Sequence, residues 1–202
     1  MDTDTALAAG LARDLDGAFE GLVLAHQDRL YSIARRFIGD AHDAEEVAQD
    51  ALVRAYRAMA GYDPERIRAL RLRPWLATIV LNLCRNRVSR RRSGAPRPLS
   101  LDLDQDGASL PEPVADPTAG PASAFDRREA AERWASLVGQ LPPAYRAAIV
   151  LRHVDGLSYP DVARALGKPE GTVKAQVHRG LALLRSAHEA AERIEREEMM
   201  SA

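Results

Sequence analysis

Lys174, Ala175, His178 and Arg179 stand at i, i+1, i+4 and i+5 in one stretch of this 202-residue chain. On a helix of 3.6 residues per turn that spacing gathers them on one side. The side is small and basic, and such a surface can meet phosphates and base edges in a DNA groove. A second basic group begins with Arg66, Arg68, Arg71 and Arg73 and continues with Arg85, Arg87, Arg90, Arg91 and Arg92; residues 61–97 hold ten basic side chains against two acidic ones. Arginine at this density neutralises phosphates with salt-sensitive affinity, whereas a surface that is only solvated mixes signs.

Covalent and metal chemistry are not signalled. Cys84 is the only cysteine, which excludes an intrachain disulfide and a thiolate-rich zinc site and reads as a small buried residue. The histidines at 26, 42, 153, 178 and 188 lack metal-ligand spacing. There is no P-loop, no nucleophile–base pair and no paired carboxylate in a basic setting, so the expectation is a protein that is not an enzyme and takes no cofactor. No 18-residue apolar run and no basic-then-apolar leader occur, and a soluble, cytoplasmic chain without membrane insertion is expected.

The elements that position the first group are two helices around a tight break. Ser158 is the N-cap of the first, with Asp161 three residues later and Pro160 in the first turn. Val162, Ala163 and Leu166 face inward, Gly167 takes the positive φ of a helix end, and Lys168-Pro169 redirects the chain. The second helix begins near Glu170 and buries Val173, Val177, Leu181 and Leu184, which leaves Lys174, Ala175, His178 and Arg179 outside. This is the geometry of a helix-turn-helix reader.

Upstream, residues 1–17 read as a mobile tail. Helical spacing covers Phe19, Leu22, Val23, His26, Leu30, Ile33, Ala34 and Phe37 and stops at Gly39-Asp40. A helix starting at Asp43, with Asp43 and Glu46 as its capping pair, carries an apolar stripe from Ala44 to Met59 and a polar face with Glu45, Gln49, Asp50, Arg54 and Arg57. Pro74-Trp75-Leu76 opens the next helix, which buries Ile79, Val80, Leu83 and Cys84 before the arginine run. Residues 93–124 gather most of the prolines and an acidic cluster; over 98–126 there are six acidic and no basic side chains. They read as a flexible linker held extended by self-repulsion among Asp102, Asp104, Asp106, Glu112 and Asp116. Helical pattern returns with Ala130, Ala131, Trp134, Leu137 and Val138 inward, then from Leu141-Pro142-Pro143 through Val154. The helix after Arg185 runs into a Glu-rich end. No strand signal appears.

Four runs, in order, resemble the bacterial RNA polymerase sigma factors of the sigma-70 family, above all the extracytoplasmic-function (ECF) type. Asp43-Ala44-Glu45-Glu46-Val47 with Gln49-Asp50 and Arg54-Ala55-Tyr56 is similar to region 2.2. Pro74-Trp75-Leu76 with Asn82 is similar to regions 2.3 and 2.4, Leu141-Pro142 with Arg146 to region 4.1, and Leu157-Ser158-Tyr159 through His178-Arg179 to region 4.2. The resemblance implies an all-α chain of two small helical domains: a region 2-like bundle at 18–92, the acidic linker at 93–124, a region 4-like helix-turn-helix domain at 125–188, and a C-terminal tail at 189–202.

It further implies a promoter-specific initiation factor that binds the polymerase core and opens the −10 DNA. Asp43, Glu46, Gln49, Asp50 and Arg54 would then contact the β′ clamp helices of the core, whose β flap is a further partner. Arg66, Arg68, Arg71, Arg73, Asn82, Arg85, Asn86 and Arg90 would meet the −10 element, and Lys174, Ala175, His178 and Arg179 the −35 element. An anti-sigma protein would be a regulator, and the linker would thread the polymerase RNA channel; its carboxylates are expected either to occupy that channel as a polyanion mimic or to fold back on the arginines between Arg66 and Arg92 and mask them until core binds. Asn86 replaces a common aspartate and Ala175 a common serine, and the arginine-rich 62–73 loop does not carry the family's base preference. The alternative reading is a helix-turn-helix transcriptional regulator acting alone.

Overall fold

Short acidic caps and glycines set the ends of most helices in the N-terminal half. The computed structural model describes residues 3–93 and 133–201, so the acidic linker lies outside the described residues apart from Ser93. Helices α1 (Thr3–Leu11), α2 (Leu15–Ile38), α3 (Ala41–Ala60), α4 (Pro64–Arg68) and α5 (Leu72–Ser93) form a first bundle. Asp14 caps α2 by accepting the Gly17 N–H at 3.0 Å, and Gly39 ends it at φ 88°, a left-handed conformation that costs glycine little. Asp40 then caps α3 through the Asp43 N–H at 2.9 Å. Asp63 caps α4 through the Arg66 N–H at 2.8 Å, with Pro64 at the helix start.

The α2, α3 and α5 stripes meet in the core, where Leu22, Leu30, Ile33, Phe37, Ala44, Val47, Ala51, Ala55, Leu76, Val80, Leu81 and Cys84 are buried. Alanines along α3 let it approach α2 closely. Burial pushes the Cys84 thiol up to about 12, so the cysteine is inert packing.

Two expectations change here. Part of the expected mobile tail is α1, which packs on α2, α4 and α5 and buries Ala8 and Leu11. Helix α3 starts two residues before Asp43, because Asp40 is the better-placed cap and Asp43 becomes a buried third-position residue.

The second half comprises α6 (133–140), α7 (Pro143–Ile149), a π-helical turn (Val150–Val154), α8 (Tyr159–Leu166) and α9 (Glu170–Ser201). Ala147, Ala148, Ile149, Val150 and Leu151 are all buried, which no amphipathic helix with one solvent face allows. The segment is the centre of this half, packed by α8 and α9, while the π turn reaches α2. Gly180 of α9 faces Ile149 and Tyr145, and its missing side chain permits the approach of α9 to α7. Trp134, expected inward, is 36% exposed, although Val138 one turn later is fully buried. The tail expected at 189–202 continues α9 to Ser201.

Candidate nucleic-acid and partner interfaces

Ser158 Oγ accepts the Asp161 N–H at 3.3 Å and donates to Asp161 Oδ2 at 2.6 Å, a reciprocal cap that fixes the entry to α8. Gly167 closes α8 at φ 62°, and α9 begins at Glu170. Val173, Val177 and Leu184 are buried, so Lys174, Ala175, His178 and Arg179 are exposed together on one face. Lys174 Nζ lies 2.7 Å from Glu170 Oε1, which raises the lysine above its ordinary range and partly neutralises it. The same ammonium lies 5.6 Å from the Tyr159 ring centre, with the Arg152 guanidinium at 5.0 Å. Lys174 therefore exchanges a carboxylate for any phosphate it takes, whereas Arg179 is simply presented.

Helix α5 carries two polar faces. Asn82, Arg85, Asn86 and Arg90 follow one another at helical spacing and are exposed, with Arg85 donating to Asn82 Oδ1 at 3.3 Å. Arg87 and Arg91, one turn apart, point instead to α3: Arg87 contacts Asp43 at 3.0 Å and also Glu46, and Arg91 contacts Asp43. Those two arginines clamp α3 to α5 and are engaged within the bundle, unlike the outward set. Arg66 stacks over Tyr62 at 3.7 Å and Arg68 is exposed.

The expected polymerase face divides in the same way. Gln49, Asp50 and Arg54 are exposed on α3, as is Val53 at 48%. Asp43 is buried and Glu46 is half-buried, and both serve the contact with α5.

Arg71 and Arg73, expected at the −10 DNA, are brought against the helix-turn-helix unit. Arg71 Nη1 lies 2.7 Å from Asp161 Oδ1, and Arg73 Nη2 donates to the Asp155 carbonyl at 2.7 Å. The Asp155 carboxylate, with no exposed side-chain surface, pairs through two hydrogen bonds with Arg29 of α2. Burial raises the Asp155 carboxyl above its ordinary value against the opposing pull of Arg29. Arg146 donates to the Phe37 carbonyl at 2.7 Å, near the C-terminal end of α2, and to the carbonyls of Gly139 and Leu141. Arg29 and Asp155 were not singled out in the sequence, since residues 126 positions apart leave no spacing to read.

The family model described as Sigma-70 region 2 matches residues 22–94, and the one described as Sigma-70, region 4 matches residues 131–184. The chain is 37% identical over 168 residues to the ECF RNA polymerase sigma factor SigE of Mycolicibacterium smegmatis, covering 83% of this chain and 60% of that longer protein. It is 30% identical to the ECF RNA polymerase sigma factor SigW of Bacillus subtilis, covering 83% of this chain and 87% of the relative. Among solved structures, CnrH in complex with the cytosolic domain of CnrY aligns with a TM-score of 0.67 at 30% identity, over 94% of this chain and 99% of CnrH. The sigma factor RpoE of Bartonella quintana, bound to the anti-sigma factor NepR, shares the fold at 20% identity, with a TM-score of 0.60 over 85% of this chain and 96% of RpoE.

Proposed function

Because the chain belongs to the ECF RNA polymerase sigma factors of the sigma-70 family, we propose that it binds the polymerase core and directs initiation at promoters chosen by their −35 and −10 elements. The observation that carries this reading is the coexistence of two exposed polar faces on otherwise complete helices. One is Lys174, Ala175, His178 and Arg179 on α9, held by the α8 cap. The other is Gln49, Asp50 and Arg54 on α3. A regulator acting alone accounts for the first and leaves the second unexplained.

In this reading residues 18–92 take core and the −10 DNA, with Asn82, Arg85, Asn86 and Arg90 along one α5 face and Arg66 and Arg68 beside it. Residues 125–188 take the −35 DNA, and 93–124 tether the two. Nucleotide addition is left to the core enzyme, and the factor works in the cytoplasm where the promoter is. Among the described residues no helix is long and apolar enough to cross a membrane. An anti-sigma protein is the expected regulator, by analogy with NepR on RpoE. Run-off transcription with purified core and a promoter library tests the function. Specific transcripts that require this chain are expected, and DNA binding without any transcript would favour the stand-alone regulator.

A further inference from the structure

We propose that Glu170 is a specificity-determining residue of the DNA-reading face of α9. Its carboxylate holds the Lys174 ammonium so that the lysine donates to the neutral edge of a base rather than to a backbone phosphate. This rests on the −35 reading above and adds a residue which that reading does not itself use.

Glu170 opens α9, where the positive end of the helix dipole favours a carboxylate. Its Oε1 lies 2.7 Å from Nζ of Lys174, one turn later. The same ammonium is 5.6 Å from the centre of the Tyr159 ring, and that ring also carries the Arg152 guanidinium at 5.0 Å. Arg152 is in turn tied to the Leu157 carbonyl at 3.2 Å, and Tyr159 is the first residue of α8, so both helices of the helix-turn-helix share in holding the lysine. The hold leaves the lysine open to DNA, since its side chain is 57% exposed. An ammonium has three N–H donors, of which Glu170 takes one. A guanine edge in the major groove offers two neutral acceptors, O6 and N7, to the donors that remain, and meeting them displaces nothing. A phosphate on the same ammonium would stand beside a second negative charge. Phosphate contacts are alike at every sequence, so suppressing one weakens binding to unrelated DNA and spares the base contact. Specificity is that difference in affinity.

The test compares holoenzymes assembled with the parent, Glu170→Gln, Lys174→Ala and doubly substituted chains. Each is titrated over a salt series onto a duplex carrying the −35 element and onto an unrelated duplex of equal length. Glu170→Gln keeps the shape of the side chain and removes its charge. It is expected to bind the unrelated duplex several-fold more tightly, with a salt slope steeper by about 0.9 for the one phosphate regained. The −35 duplex should gain little, so the preference for it falls. In the Lys174→Ala background the same substitution should leave the slope on unrelated duplex unchanged. An unchanged slope in the single Glu170→Gln variant, or equal gains on both duplexes, would overturn the proposal. So would an effect of equal size without Lys174, which marks plain repulsion between Glu170 and DNA. A selective loss on the −35 duplex would overturn it too, by making Glu170 a base contact itself. Run-off transcription by the parent chain, read separately, reports whether the promoter-reading function holds, and the unrelated-duplex arm needs no promoter.

Discussion

A methyl group added at Gly180 of α9 would lie 2.9 Å from Cγ1 of the fully buried Ile149 of α7. Alanine normally favours a helix over glycine by about 1 kcal/mol. Here overpacking costs about 1–3 kcal/mol and opposes that gain. Gly180→Ala is expected to lower the thermal midpoint, whereas Gly171→Ala, which meets nothing within 4 Å, should leave it unchanged or raise it. Thermal unfolding followed by circular dichroism compares the two.

Asp43 and Gln49 lie six residues apart on α3, the first buried against α5 and the second exposed. Asp43→Ala leaves Arg87 and Arg91 without their shared carboxylate and should destabilise the first bundle by about 2–4 kcal/mol, the lower end reflecting the half-exposed Arg91. The Gln49→Ala/Asp50→Ala double variant should unfold at nearly the parent temperature yet bind core polymerase more weakly. A double variant that binds core normally would place the polymerase contact elsewhere.

Arg179 is exposed on the outward face of α9. Arg179→Ala should cost about 1–3 kcal/mol of promoter binding if the guanidinium reads a base by two hydrogen bonds. Binding by the holoenzyme to −35 variants is the measurement. A uniform loss over all sequences would identify a phosphate contact instead.

His26 is buried with Nε2 3.4 Å from Asp4 Oδ1, among Arg29, Arg73 and Asp155. Desolvation, aided by the two arginines, holds it below its ordinary 6.5. The unfolded chain therefore takes the proton first, and stability is full above about pH 7.5 and falls as pH drops through 6.5 toward the folded value. His153, also lowered by burial, adds the same sign. Asp155, raised from 3.8 by burial, acts with the opposite sign, gaining stability as pH falls through its folded value. Urea unfolding over this range should show the decline, reduced in His26→Gln.

The helix-turn-helix was legible because its signals are local: the Ser158 cap, Gly167 and the stripe from Val173 to Leu184 need only their own neighbours. The exposed sets on α5 and α9 followed from the same periodicity. Helix α1 escaped notice because two buried apolar residues, Ala8 and Leu11, make too short a stripe; what holds it is the surface of α2, α4 and α5. Asp43 looked like a cap because an acid three residues ahead of another acid fits that pattern, and Asp40 satisfies it equally with Asp43 as the partner. The division of the arginine run was beyond reach, since Arg87 and Arg91 differ from Arg85 and Arg90 only in which way α3 lies.

The π turn at Val150–Val154 has a consequence for length. Asp155 donates its N–H to the Val150 carbonyl, five residues back, and Leu157 donates to Leu151. Each helical residue turns the chain by about 100°, so removing one residue from this turn would swing the Asp155 carboxylate away from Arg29 even with every side chain kept. A single-codon deletion here would therefore break the phase between the two halves of the molecule.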